Sequence, residues 1–184
     1  MKTERLELRA WGPADLNDLV GLNSEPEVYE LLGGPSLVAG SASALSRYTC
    51  HFSREGWGIW RIEDHLGHCV GLAGLQHVRP VLPVAPAVEA VWRLKRSAWG
   101  LGYASEAMKA ILETLPLRFE SNEVVALIAH RNLRSAKTAV RTGFELDRAA
   151  DFLYPDESLA PALRPHQVFR YSLNSQRPDL CQPT

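Results

Sequence analysis

Cysteine is scarce in this 184-residue sequence. Cys50, Cys69 and Cys181 form an odd set with no C-x-x-C pair, which excludes a disulfide framework and argues against a zinc site. An excess of one charge is also lacking: 20 Lys and Arg stand against 21 Asp and Glu, a formal net charge of −1. A dedicated nucleic-acid binder has a strongly basic domain, so no nucleic-acid partner is expected. Long apolar runs are missing as well. None approaches the ~20 residues of a membrane helix, and residues 81–88 are interrupted by Pro83 and Pro86. The opening MKTERLELR has no apolar core of a secretory signal. No membrane partner is expected, and the cysteine usage points to a reducing, cytoplasmic setting. There is no internal repeat and no low-complexity block. What remains is the composition of a globular chain, 46% hydrophobic and 22% charged. The length fits one domain, expected over residues 1–173, followed by a polar tail at 174–184.

Periodicity gives the elements. Residues 4–9 alternate, with Leu6 and Leu8 on one side of a half-buried strand. Pro13 suits a first helical position, and Leu16, Leu19 and Val20 follow at helical spacing. Residues 23–40, with Pro26, Gly33, Gly34, Pro35 and Gly40, read as loop or short helix. Ser43 is expected to cap a helix with Leu45, Tyr48 and Phe52 on its apolar face. Runs 57–63 and 68–77 form a hairpin around the turn sequence DHLG. Prolines 80, 83 and 86 stiffen the next loop. Residues 88–94 read as a strand, and a helix from Tyr103 buries Ala104, Ala107, Met108, Ile111, Leu112 and Leu115, limited by Pro116. Residues 123–129 form a near-continuous apolar strand. A helix over 133–142 ends at Gly143, Phe144 begins another strand, and 167–173 forms the last. Strands 88–94 and 123–129 flank a helix and are expected to pair in parallel, in a mixed sheet with helices on both faces.

The chemical signal lies in residues 89–107, EAVWRLKRSAWGLGYASEA. A strand ends near Leu94, and a helix starts just after Gly102. Unpaired N–H groups at a helix N-terminus attract anions, and glycines let an anion approach the backbone. The segment therefore suits a phosphate or pyrophosphate, with Lys95 and Arg96 beside it. The plain alternative is a tight turn at Gly100 and Gly102. A dinucleotide fingerprint fits poorly, because Ser105 replaces the third glycine and five residues separate Leu94 from Gly100. No G-K-[ST] of a Walker loop occurs. His65, His68 and Cys69 lack the spacing of a zinc site, as do Cys50 and His51, and DHLGH reads as a turn. Trp57 and Trp60 are expected on opposite faces of one strand, one of them at a cleft.

The run WGLGYASEA at 99–107 resembles the acyl-CoA motif of the GCN5-related N-acetyltransferases (GNATs), in particular the branch of the ribosomal-protein alanine N-acetyltransferases. Glu89 falls where that branch carries a strand acid. Glu25, Pro26, Glu27 and Val28 match its E-x-E-V segment, and Asn132, Ser135, Gly143 and Phe144 match its N-x-x-S and G-F landmarks. The resemblance spans residues 3–173. It implies an α/β fold with a mostly antiparallel sheet of about seven strands, whose parallel pair, 88–94 and 123–129, splays apart. Two positions depart from the family: Ser97 stands where Gln or Arg is common, and Ala139 where a Tyr general acid is common.

The resemblance implies acetyl transfer from acetyl-CoA to a primary amine, on a protein N-terminus or a small molecule, with no metal. The implied cofactor site comprises Val91, Trp92, Arg93 and Leu94 along the pantetheine arm. Arg96, Trp99, Gly100, Leu101, Gly102, Tyr103 and Ala104 lie at the pyrophosphate, and Asn132 and Ser135 on the neighbouring helix. Some of Arg131, Arg134, Lys137 and Arg141 are expected at the adenosine end. Glu89 is the candidate base, kept ionised if Arg93 pairs with it. Ser135 is the second catalytic candidate, as general acid, with Tyr103 an alternative. The acceptor would be shaped by residues 23–40, 79–87 and 151–166, whose Glu25, Glu27, Glu30, Asp151, Asp156 and Glu157 suggest an acidic rim. The resemblance is compatible with a homodimer. Ser97 and Ala139 also motivate a second reading, an acyl-CoA-binding or partner-binding module without efficient turnover. A nicotinamide-linked oxidoreductase is disfavoured by the loop spacing.

Overall fold

The alternation at the start of the chain builds one edge of a sheet: Leu8 is fully buried in β1 (Glu7–Ala10), and Leu6 just ahead of it is 4% exposed. The computed structural model describes residues 1–32, 36–114 and 121–173. Expectations for Gly33, Gly34, Pro35, Leu115, Pro116, Cys181 and the tail at 174–184 lie outside the described residues. After β1 come α1 (Leu16–Ser24), α2 (Pro26–Tyr29), α3 (Ser36–Ala39) and α4 (Ser41–Glu55). Strands β2 (Ile59–Glu63), β3 (Cys69–His77) and β4 (Val88–Leu94) follow, then α5 (Tyr103–Glu113), β5 (Glu123–Ala129) and α6 (Leu133–Arg141). β6 (Glu145–Leu153) and β7 (Pro165–Ser172) complete the order.

The seven strands form one sheet in the order β1-β2-β3-β4-β5-β7-β6. Every neighbouring pair is antiparallel except β4 and β5, which are parallel as expected. That pair holds at a single registered position, Glu89 opposite Val125, and β4 diverges beyond it. β3 pairs with β4 along its length, from Gly71 opposite Leu94 to His77 opposite Val88. Gly74 permits a close approach of β3 to the backbone at the start of β2: a Cβ there would stand 2.1 Å from the Gly58 carbonyl oxygen.

Helices cover both faces. Ala107, Met108, Ile111 and Leu112 of α5 and Ala139 of α6 bury themselves against Val88, Ala90 and Leu94 of β4 and Val124, Ala126 and Ile128 of β5. Each large side chain buried this way contributes roughly 1.5–3 kcal/mol. On the other face, Leu19 and Leu22 of α1 and Leu45 of α4 pack on Ile59 and Leu72. A smaller cluster joins Val78 and Leu82 of the proline-rich loop to Val125 and Val168. Among the described residues no helix is long and apolar enough to cross a membrane.

Two local readings need correction. Ser43 does not cap α4, which begins at Ser41 with Gly40 in the capping position. The buried Ser41 hydroxyl accepts a 2.9 Å bond from Asn23 Nδ2, and this tie to α1 sets where α4 starts. Trp57 precedes β2, so strand alternation does not separate it from Trp60. Both rings pack against α4, Trp57 on His51 and Trp60 on Phe52, and neither lines the cavity described next.

Candidate active site

Divergence of β4 from β5 opens a cavity of about 970 Å³ between α1, α4, the loop after β3 and the loop after β6. Glu89 sits at the apex, the last point where the two parallel strands hold together. Alternation puts Val88, Ala90, Trp92 and Leu94 of β4 toward α5, and Glu89, Val91 and Arg93 toward α1 and α4. β3 supplies Gln76 directly opposite Glu89, and Gln76 Nε2 donates to Glu89 Oε2 at 2.9 Å. Glu89 keeps partial exposure through the cavity, yet protein surrounds its carboxyl. Burial pushes that carboxyl up to about 7, outweighing the Gln76 hydrogen bond and the positive charge of Arg79, which act the other way. Arg79 in turn donates to the Tyr154 hydroxyl. Burial also raises the Tyr154 phenol above its ordinary value.

Arg93 is not the partner of Glu89. Its guanidinium hydrogen-bonds Asn23 Oδ1 of α1 instead, because four residues along a strand separate the two Cα atoms by about 13 Å. Glu89 is therefore not held ionised by a neighbouring arginine; its carboxyl is poised near neutrality.

The loop after β4 forms a cradle outside the cavity. Gly100 and Gly102 have φ of 80° and 82°, the left-handed region that glycine enters without strain. Gly102 is the N-cap of α5, whose first intrahelical donor is Glu106 N to Gly102 O. The amides of Tyr103, Ala104 and Ser105 precede that donor and have no partner within the helix. Leu94 contributes through its backbone: its side chain is buried, and its carbonyl accepts from Trp99 Nε1 at 2.9 Å. The guanidinium groups of Arg96 and Arg134 lie over the Trp99 ring, 5.0 and 4.3 Å from its centroid. Of the cations on α6, Arg134 is thus the one brought to the loop. The Arg96 amide donates to Glu25, and the Leu101 carbonyl accepts from Arg5. Arg5 and Thr3 also bind Glu106 (2.7 and 2.6 Å), fixing the start of α5 to the beginning of the chain. Those hydrogen bonds hold the Glu106 carboxyl below its ordinary value despite burial.

Among the expected site residues, Glu89, Val91, Trp92, Arg93, Asn132 and Ser135 line the cavity, while Leu94, Arg96, Trp99, Gly100, Leu101, Gly102, Tyr103 and Ala104 belong to the outer cradle. Asn132 caps α6, accepting from Ser135 N at 3.1 Å, so its carbonyl oxygen is engaged. Tyr103 stays outside the cavity under Arg5, and Ala139 is wholly buried. The acidic rim does not form: of its six residues only Asp156 lines the cavity, where Arg47, Arg54, Arg79 and Arg93 also lie. Glu25 is bound to Arg96 and Asp151 lies 3.3 Å from His130. Sequence reasoning did not single out Gln76, Arg79, Tyr154 or His166, although the last three fall in the expected segments 79–87 and 151–166, which do line the cavity. Gln76 meets Glu89 through the register of β3 on β4 across the proline-rich loop, and nothing local brings Arg79 and Tyr154 toward Glu89 or His166 into the cavity.

A splayed parallel pair, a glycine-capped helix at its open end and a carboxyl at its apex fit an acyl-CoA-dependent transferase. Residues 5–145 match the family model described as the acetyltransferase (GNAT) domain. The chain belongs to the GNAT acetyltransferases and is an acetyl-CoA-dependent enzyme. A GnaT-family acetyltransferase from Bordetella pertussis is similar over 94% of this chain and 98% of its own, with 23% identity and a TM-score of 0.75. An acetyltransferase from Agrobacterium tumefaciens is 26% identical over 93% of this chain and 92% of its own, with a TM-score of 0.71. RimL, a ribosomal L7/L12 alpha-N-protein acetyltransferase solved with coenzyme A, shares the fold at 17% identity, covering 92% and 95%, with a TM-score of 0.73.

Proposed function

We propose that residues 1–173 act as one N-acetyltransferase domain that moves the acetyl group of acetyl-CoA to a primary amine. The observation that carries this reading is the position of Glu89, a carboxyl poised near neutrality at the apex where β4 leaves β5. Acetyl-CoA supplies a thioester whose carbonyl accepts the amine. Backbone groups of β4 beyond Glu89, no longer paired with β5, bind the pantetheine arm and polarise that carbonyl. The free amides at the start of α5 hold the pyrophosphate. Glu89 takes the proton the amine loses as the C–N bond forms and the C–S bond breaks. Its raised pKa suits the task, since a base works best near the operating pH. Ser135 faces the cavity from α6 and can donate to the departing sulfur, although a thiol of pKa about 8.5 leaves tolerably as a thiolate.

Calorimetric titration with acetyl-CoA, followed by an amine screen read by thiol release, tests the proposal. Binding at one site per chain with CoA release is the expected result. Tight binding without release from any amine would favour the binding-module reading. Absence of binding in a folded sample would overturn both.

A further inference from the structure

The cavity contains a cation, Arg93, that forms no ion pair among the described residues. Arg93 alternates with Trp92 and Leu94 along β4, on the face away from α5, and lines the cavity. Its guanidinium meets a neutral partner, Asn23, and its Nε is buried with no hydrogen-bond partner. Among the described residues no carboxylate lies within ion-pair distance of it. Arg47 of α4 lines the same cavity and also has no ion pair among the described residues. Keeping a buried cation without a counter-ion is costly, whereas a planar guanidinium matches an oxyanion in a two-pronged pair. Glu89 lies on the same face of β4, four residues away, or about 13 Å along the strand. The two long side chains can therefore hold the two ends of one small molecule.

We propose that the acceptor is an anionic amine, a primary amine with a carboxylate-type oxyanion several bonds away, its amine at Glu89 and its anion on Arg93. This rests on the acetyltransferase reading of the cavity given above. Arg93 is then a specificity-determining residue, and polycationic amines are poor acceptors because they would meet four arginines in the cavity.

The test compares kcat/KM for unbranched ω-amino acids of increasing length with that for alkylamines of equal length, and with aminoalkyl phosphonates to separate carboxylate from phosphonate readers. The anionic series is expected to win by about tenfold or more, with an optimum longer than glycine. Arg93→Met, which keeps the volume, should collapse that ratio, and Arg93→Lys should retain part of it. A second measurement needs no turnover: calorimetry of the same ω-amino acids against the enzyme–CoA complex should show binding that Arg93→Met loses. Preference for neutral or polycationic amines overturns the proposal. So does a preference that survives Arg93→Met, or failure of every anionic amine to bind the CoA complex. Weaker acetyl-CoA binding in Arg93→Met with the ratio intact would assign the guanidinium to the donor and also overturn it. Acetyl-CoA titrated alone is the control: its failure to bind would remove the acetyltransferase reading itself.

Discussion

At the residue scale the decisive group is Glu89, where burial defeats a hydrogen bond from Gln76 and the positive charge of Arg79. A base with a pKa of about 7 makes kcat/KM rise with pH through that value. Glu89→Gln is expected to lower kcat about 100-fold and to remove this limb of the pH profile, with little effect on the acetyl-CoA Kd. An unchanged kcat and profile would show that another group accepts the proton. The same shift has a consequence for stability. Between pH 4.5 and about 7 the folded protein keeps the Glu89 proton that the unfolded chain has released, so this residue's contribution falls as pH rises through that window. Relative to the parent, Glu89→Gln should gain stability from pH 5 to pH 8, by up to ~3 kcal/mol. Urea melts at the two pH values measure the difference, and a gap that does not widen would show that the carboxyl is ordinary.

At the element scale the start of α5 and the close approach of β3 to the start of β2 depend on single glycines. Valine at Gly102 would force a β-branched residue into the left-handed region at the first free amides of α5, with its Cβ 3.5 Å from the Arg5 guanidinium. Gly102→Val is expected to weaken acetyl-CoA binding at least ~100-fold while the protein stays folded, as circular dichroism and calorimetry together would show. Retained affinity would mean the amides of α5 do not bind the pyrophosphate. Gly74 has a purely structural role. A Cβ there would stand 2.1 Å from Gly58 O and 2.6 Å from Ile59 Cα, both backbone atoms that cannot swing aside. Gly74→Ala is expected to cost about 3 kcal/mol, a drop in Tm of roughly 6–12 °C for a chain of this size. The periodicity of β4, α5, β5 and α6 is strong enough that their beginnings are legible in the sequence, at Val88, Tyr103, Glu123 and Leu133. Ser43 misled because a buried Asn23–Ser41 contact, not local capping, fixes the start of α4.

For the whole molecule, the proposed donor site joins parts far apart in the chain. The β4–α5 loop is tied to Arg5 through the Leu101 carbonyl, to Glu25 through Arg96, and to α6 through Arg134 on Trp99, while Glu106 ties the start of α5 to residues 3–5. Binding there should stabilise the entire fold: acetyl-CoA at about 100-fold its Kd is expected to add about 2.7 kcal/mol. Thermal melts across a concentration series would show it, together with slowed amide exchange at residues 103–105. A Tm independent of acetyl-CoA would contradict a site formed only in the folded state.

The sequence by itself determined the order of elements, the parallel pair, the glycine-capped helix and the strand carrying Glu89, because each rests on local periodicity or on chain neighbours. The tertiary structure decided what surrounds Glu89. Gln76, Arg79, Tyr154 and His166 reach the cavity from separate strands and loops, and Arg93 turns to Asn23 rather than to the carboxyl four residues before it. The acidic rim read from composition became a cavity with four arginines for the same reason. Charges distributed along a chain do not reveal which of them the fold brings to one face, and burial, which sets the Glu89 pKa, exists only once distant segments close around it.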